Sequence, residues 1–236
     1  MYDQIVSLYA EIFPLNKEFM AFLPPYLGPA GSTVLDMGCG PGDYVDMLSR
    51  RGYRAVGIDS SREMIAFARQ NRQGIFIPFA FEDVGDGRME GSYDCIYSIG
   101  NSLSYLSSEK RPAFLAEIAC IHEQGGQLII QVINWDQYLH SGKKEFSVKQ
   151  LTDGSTFHRW YEQISKFMVM FHTELRSGGD VLQAWSAPLY PIPSELFLEE
   201  LVDTGYSISG VYGDYRKALF DPINSPTFIV TAGRSG

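Results

Sequence analysis

The chain has 236 residues, of which 45% are apolar and 20% charged, and this is enough to bury the core of one large globular domain. Its formal net charge of −9 argues against a phosphate-backbone partner, since nucleic-acid-binding proteins usually carry a basic patch. Its three cysteines, Cys39, Cys95 and Cys120, lack close spacing, which argues against zinc and disulfides and favours a reducing compartment.

The first 27 residues predict helices ahead of any strand. Apolar residues recur at helical spacing on both sides of Pro14, which interrupts the pattern. Helices in this position are expected to cover the sheet or the mouth of its ligand site.

The stretch from Thr33 to Gly42 is the most informative in the chain. A strand predicted over 32–37 runs into glycines at alternate positions, and a helical pattern over 44–51 follows. A second strand, over 54–58, ends at Asp59. This order of strand, glycine turn, helix, strand and acid is half of a nucleotide-binding α/β unit. Glycines let the backbone approach a ligand closely, and the acid can accept hydrogen bonds from ribose hydroxyls.

Two acids argue against a dinucleotide as the ligand. The dinucleotide fingerprint needs a third glycine where this chain has Asp43, and a carboxylate there would repel a pyrophosphate. Asp36, at the end of the first strand, suits a cationic group instead. A nicotinamide-dependent dehydrogenase therefore stays a distant alternative.

The remaining elements continue the alternation of strands and helices. Ser61 is expected to cap a helix that runs to Arg72. Further strands are predicted over 76–80, 93–98 and, after a glycine pair, 127–133, with a helix over 109–121 between the last two. Strict alternation predicts an α/β fold with a doubly wound, mainly parallel sheet.

The pattern changes after the fifth strand. Short alternating segments separated by glycine turns predict an antiparallel β cap over 136–190, inserted within a single domain that spans 1–236. We expect this cap at the carboxyl ends of the parallel strands, where ligands of such sheets bind. Ser194 is then expected to cap a helix over 195–201, and two strands follow over 206–213 and 227–232.

The segment V-L-D-M-G-C-G-P-G, followed by G-I-D-S-S, resembles the first two motifs of the class I S-adenosylmethionine-dependent methyltransferases. The resemblance implies a Rossmann-like seven-stranded sheet and S-adenosylmethionine as donor, with S-adenosylhomocysteine as product and no metal. It implies a donor site formed by Asp36, Gly38, Cys39, Gly40, Asp59, Ser60, Met64, Phe81, Glu82, Ile99 and Gly100.

Several of these residues have a plainer alternative. Asp36 either orders the methionine end of the donor or only the turn, and Asp59 either binds the ribose or only caps the helix that follows. Met64 either covers the adenine or belongs to the core. Related enzymes often carry an adenine-binding acid where this chain has Ala80. The Phe81 N–H and the Glu82 side chain are the expected substitutes, unless Glu82 is only a solvated loop charge.

The segment G-N-S-L after the fourth strand, with the fifth strand and its Asn134, resembles the glycine and sarcosine N-methyltransferase group. This implies a small-molecule acceptor, with an amine as the first expectation and an O- or carboxyl-methyl acceptor as the alternative. Asn101 is the candidate catalytic residue because it can orient an amine or a carboxylate without adding charge. Its alternative role is that of a turn residue bonded to its own backbone.

Candidate acceptor contacts come from the cap and the tail. Arginines can bind a substrate carboxylate with two hydrogen bonds, and aromatic faces attract cations. Each of these residues alone is as readily explained by the surface or the core, and the two histidines are weak candidates for a base. The set comprises Arg159, Arg176, Arg216, Trp135, Tyr138, His140 and His158.

The expected partners are a small-molecule substrate and a second copy of the chain in a homodimer, with neither nucleic acid nor membrane. A cytoplasmic location is expected, because the start carries no basic signal and no apolar run approaches about 18 residues. A donor-binding module without catalysis stays open as an alternative to an enzyme.

Overall fold

A computed structural model describes residues 3–81, 90–142 and 145–234. Within these residues the strands are β1 (Thr33–Met37), β2 (Arg54–Asp59), β3 (Ile75–Pro78), β4 (Tyr93–Ser98), β5 (His122–Ile133), β6 (Lys149–Gln150), β7 (Thr156–Glu162), β8 (Val169–Ser177), β9 (Asp180–Leu189), β10 (Tyr206–Tyr212) and β11 (Thr227–Arg234). The helices are α1 (Tyr9–Ile12), α2 (Lys17–Phe22), α3 (Asp43–Arg50), α4 (Arg62–Asn71), α5 (Arg111–Cys120), α6 (Trp135–Ser141) and α7 (Ser194–Asp203). Short 3-10 turns lie at Asp3–Leu8, Pro24–Tyr26 and Ser102–Tyr105.

Seven strands form one sheet in the order β10-β11-β5-β4-β1-β2-β3. Neighbouring strands run parallel except at β11, which is antiparallel to both β5 and β10. The expected mainly parallel, Rossmann-like sheet is therefore confirmed. Its parallel strands bring their carboxyl ends to one edge, which gathers the segments that follow β1, β2 and β4.

Helices cover both faces of this sheet, and β4 shows why. Ile96 and Tyr97 are both fully buried, but they point to opposite faces and belong to separate apolar clusters. The Tyr97 face packs against α2, α3 and α4, while the Ile96 face packs against α5 and α7.

Three features differ from the sequence-based expectation: the cap of α7, the start of β5 and the end of β3. The cap of α4 agrees with it. Ser61 does cap α4, since its hydroxyl accepts from the Met64 N–H at 3.1 Å. Ser194 does not cap α7: Pro193 occupies the cap position, and the Ser194 N–H donates to Asp136 instead. Strand β5 begins at His122 rather than at residue 127, because the glycine pair lies in a bulge of the strand. Strand β3 ends at Pro78, two residues before the expected end.

A second, four-stranded antiparallel sheet has the order β6-β7-β8-β9 and corresponds to the expected cap strands. It begins later than expected, because α6 rather than a strand follows β5. The N-terminal segment fills one face of this sheet, where Ile5 and Ile12 pack with Phe157 and Leu175. No helix in the described part of the chain is long and apolar enough to cross a membrane.

Candidate functional site

A cavity of about 780 Å³ opens at the carboxyl edge of β1, β2 and β4. Ligand sites of enzymes commonly have volumes of about 300 to 1,000 Å³, so this one can hold a nucleoside with a small second molecule. The glycine turn, the end of β2 and the end of β4 form its floor. Residues Tyr9–Asn16, called the N-terminal wall from here on, form one side, with Ala187 of the cap and Tyr215 nearby.

The glycine turn after β1 can only be built from glycine at its first position. Gly38 has a φ of +84°, and a Cβ there would lie 2.5 Å from the Ser102 Oγ. The N–H groups of Gly38 and Cys39 donate to the Ile58 carbonyl at 2.8 and 3.0 Å, which ties the turn to β2. The backbone therefore lines the cavity where a side chain would fill it.

Asp59, at the end of β2, organises the same turn. Its Oδ2 accepts from the Gly40 N–H and its Oδ1 from the Ser61 N–H, both at 2.8 Å. Asp59 also lines the cavity, and a carboxylate at the end of the second strand can accept hydrogen bonds from a ribose. This arrangement suits ribose hydroxyls.

Asp36, at the end of β1, is 2% exposed and lines the cavity. Burial raises its pKa to about 8; the nearby Tyr97 hydroxyl lowers it and the charge of Asp59 raises it. Among the described residues, neither the Asp36 Oδ2 nor the Tyr97 hydroxyl has a partner of ordinary hydrogen-bond geometry. An ammonium group in the cavity would satisfy this buried carboxylate, so the site fits the methionine end of S-adenosylmethionine.

The apolar side of the cavity contains Met64 and Phe81, which are 1% and 8% exposed. Phe81 packs on Phe114 with ring centroids 5.0 Å apart. Cys39 is also buried at the cavity, and burial raises the pKa of its thiol. Ser60 lines the exposed rim. Glu82 lies outside the described residues.

The loop after β4 divides into lining and supporting residues. Ile99 and Gly100 line the cavity, as expected, whereas Asn101 is not among its lining residues. The Asn101 Oδ1 accepts from the Ser104 Oγ at 2.8 Å and from the Ile133 N–H at 3.2 Å. These contacts are typical of a residue that stabilises a turn. A direct catalytic role for Asn101 stays a prediction.

Gln131 and Tyr215 are lining residues that the sequence analysis missed. The Gln131 side chain is on β5, and its Oε1 accepts from the Gly100 N–H at 2.7 Å and from the Tyr215 hydroxyl at 3.3 Å. One signal was available: Gln131 is the polar residue inside the apolar run 128–133. Tyr215, from the loop after β10, gave no local signal.

The candidate acceptor residues of the cap and tail lie elsewhere. His158, Arg159 and Arg176 line a separate cavity of about 570 Å³ on the cap. The exposed Arg216 forms an ion pair with Glu18. The remaining three candidates line neither of the described cavities. Trp135 is fully buried, and its Nε1 donates to Ser104. Tyr138 packs on Tyr161, and His140 is exposed.

Comparisons with known proteins agree with this geometry. The profile of a family described as a methyltransferase domain matches residues 34–126, which run from β1 into β5. A putative methyltransferase from a Geobacillus strain is 30% identical over 107 residues, which are 44% of this chain and 43% of that protein. A glycine/sarcosine N-methyltransferase from Halorhodospira halochloris is 25% identical over 84% of this chain and 73% of its own length.

The likeness in fold extends over the whole chain. The crystal structure of an S-adenosylmethionine-dependent methyltransferase from Clostridium acetobutylicum superimposes with a TM-score of 0.81, covering 100% of this chain and 99% of the other at 14% identity. The matched domain contains the glycine turn, Asp36 and Asp59, the features that fit the donor. Residues 34–126 thus match a methyltransferase domain, and the whole chain has the fold of an S-adenosylmethionine-dependent methyltransferase.

Proposed function

We propose that the chain transfers a methyl group from S-adenosylmethionine to the nitrogen of a small-molecule amine. The observation that carries the proposal is the unpartnered, buried Oδ2 of Asp36 in a cavity that also presents Asp59 and the glycine turn. Together they offer a carboxyl group that a nearby ammonium would help to ionise, acceptors for a ribose, and a backbone turn without side chains between them. In the proposal, Met64 and Phe81 enclose the adenine.

S-adenosylmethionine, when bound, supplies a methyl group that is already activated on a sulfonium. The acceptor nitrogen forms its bond to the methyl carbon as the sulfur–carbon bond breaks, the electron pair of that bond stays on sulfur, and a proton then leaves the nitrogen for water. The chain must therefore mainly position the acceptor in line and exclude water. The N-terminal wall and the loop after β4 are the elements placed to do so.

The charge of the cavity supports an amine as acceptor. Its described lining holds four acids, Asp36, Asp43, Asp59 and Glu63, and the single base Arg62, while Asp43 is paired with Arg72 outside the lining. A negative potential attracts a cationic donor and a protonated amine to the same site, and the amine must release that first proton to water before its nitrogen can attack the methyl group. By its name, the Halorhodospira relative methylates the nitrogen of glycine and sarcosine.

A donor-binding measurement with a turnover assay tests this proposal. We expect the Asp59→Ala variant to bind S-adenosylhomocysteine more weakly by roughly 1 to 3 kcal/mol, the scale of lost hydrogen bonds to a charged group. Calorimetry measures the affinity, and Glu63→Gln, which removes another lining acid, is the control. Conversion of the donor with a panel of amines, alcohols and carboxylates, followed by identification of the methylated atom, tests the reaction. Methylation at oxygen alone, or no donor binding, would refute the proposal.

A further inference from the structure

Beside the end of β4, the cavity contains a polar side chain that the proposed contacts to the donor leave unused. Gln131 is 7% exposed and lies on β5, beside the end of β4 and away from the glycine turn in sequence. Its Oε1 accepts two hydrogen bonds, one from the Gly100 N–H and one from the Tyr215 hydroxyl. Because a backbone N–H can only donate, the atom facing Gly100 must be the amide oxygen, and the orientation of the carboxamide is fixed.

The other end of this carboxamide has no partner. The Gln131 NH₂ group carries two N–H donors, and no hydrogen bond to it is formed by the residues that the structure describes. The NH₂ nitrogen is not among the fully buried atoms that lack a partner, so it is accessible from the cavity that Gln131 lines, and an oxygen of a ligand there can complete its hydrogen bonds. An NH₂ group donates to a hydroxyl, ether or carbonyl oxygen of a ligand.

The charges around it restrict what that ligand can be. Among the described lining residues Arg62 is the one base, and it lies at the start of α4 beside Asp59. The arginines considered as carboxylate partners, Arg159, Arg176 and Arg216, do not line this cavity. A carboxylate or phosphate on the acceptor would therefore enter an acidic cavity without a described cation to pair with.

We propose that Gln131 is a specificity-determining residue whose NH₂ group binds an uncharged oxygen of the acceptor, so that the acceptor is a hydroxyl-bearing amine without carboxylate or phosphate. This inference rests on the proposed function and narrows its substrate class. Gly100 and Tyr215 hold the carboxamide in place, and Gln131 sets the orientation of the amine relative to the end of β4. It carries no charge and takes no proton in the transfer.

Matched pairs of amines test the substrate class. The probes are 3-amino-1,2-propanediol and glucosamine, each compared with its carboxylate counterpart, isoserine and glucosaminic acid. We expect the wild type to methylate at least one hydroxyl-bearing member with a kcat/KM at least tenfold above that of its counterpart. A preference for the carboxylates, or no methylation of either hydroxyl-bearing amine by a protein that binds the donor, overturns the inference. N-methylation of a carboxylate-bearing amine with a kcat/KM equal to or above that of its hydroxyl-bearing partner would overturn the inference while leaving the proposed N-methyl transfer intact.

Variants of Gln131 test the residue. Gln131→Met keeps the length of the side chain without its donor, and we expect the KM of the accepted amine to rise at least tenfold, with the affinity for S-adenosylhomocysteine changed less than threefold. Gln131→Lys places a cation there and should shift the preference toward the carboxylate member of the pair. The control is Gln127→Met, a glutamine on the same strand that bonds the Gly125 carbonyl outside the cavity. An unchanged KM in Gln131→Met, or an equal change in the control, would overturn the assignment.

Discussion

At the scale of single residues, Asp36 couples the stability of the protein to pH. Its pKa of about 8 in the folded chain lies above the value of 3.8 for a free carboxyl, because burial opposes its ionisation. The folded protein therefore keeps a proton that the unfolded chain releases. The stability that this proton confers is present at low pH and is lost as the pH rises toward about 8.

We expect the free energy of unfolding of the unliganded protein to fall more steeply between pH 5 and pH 8 in the wild type than in Asp36→Asn. The asparagine keeps the shape of the side chain and cannot ionise. Urea unfolding at several pH values, in the absence of donor, measures the difference. Parallel profiles for the two proteins would show that Asp36 ionises without penalty.

Gly38 is a second residue whose identity the structure fixes. An L-residue at φ +84° is strained by about 1 to 2 kcal/mol, and a Cβ there would also overlap Ser102. We expect Gly38→Ala to lose donor binding and to destabilise the fold more than Gly52→Ala. Gly52 has a φ of +89° with no described atom within 4 Å of its Cβ position. An alanine at position 52 would therefore have the backbone strain without the steric overlap. Calorimetry with S-adenosylhomocysteine and urea unfolding give the two measurements; equal losses in both variants would count against steric overlap at Ser102.

At the scale of elements, a buried ion pair joins the helices on one face of the sheet. Arg111 of α5 is fully buried and donates to Glu200 of α7 through two nitrogens, at 2.5 and 2.8 Å. Removing one member of such a pair leaves an unpaired charge in the interior. Stability, rather than the chemistry of the cavity, depends on this pair.

We expect Arg111→Met to lower the free energy of unfolding by about 3 to 5 kcal/mol, and the double variant Arg111→Met with Glu200→Leu to recover most of that loss. Donor affinity in both variants should stay within twofold of the wild type. Urea unfolding and calorimetry provide the readouts. A double variant as unstable as the single one would mean that packing around Arg111, and not its charge, is what matters.

Some residues of the candidate site could be predicted from the sequence, and others could not. Asp36, Gly38 and Asp59 could be predicted because each follows a strand at a fixed spacing, and the parallel strands bring those ends together. Gln131 and Tyr215 could not, because Gln131 on β5 meets Gly100 from 31 residues away, and Tyr215, in the loop after β10, meets Gln131 from 84 residues away. The role expected of Asn101 rested on its position in a loop, whereas its contacts with Ser104 and Ile133 depend on tertiary packing.

At the scale of the whole molecule, the N-terminal wall joins the cap to the donor cavity. Glu11 accepts from the backbone and side chain of Thr152, and the Lys149 Nζ donates to the Ile12 carbonyl at 2.7 Å. These hydrogen bonds fix the N-terminal wall to the cap. The Tyr9 ring of the wall lies within 3.5 Å of the Cβ position of Gly40. The wall therefore lies directly beside the glycine turn, where the proposed donor would bind.

We expect the double variant Glu11→Ala with Lys149→Ala to release S-adenosylhomocysteine several-fold faster than the wild type. Loosening the wall lowers the barrier to opening, whereas the floor of the site stays intact. Stopped-flow dissociation measures the rate. Arg50→Ala, which removes an exposed ion pair with Asp46 on α3, is the control. If both variants release the product at the wild-type rate, the wall does not limit exit.

The hydrogen bonds between the N-terminal wall and the cap also affect the order in which the segments fold. The hydrogen bonds from the wall to the cap close loops of 137 and 141 residues, far longer than those that build β1, α3 and β2. Long loops close late, because their entropic cost is met only once the intervening structure exists. The N-terminal wall is therefore among the last segments to dock. During refolding, the capacity to retain the donor should appear after the helical signal of the sheet domain has recovered.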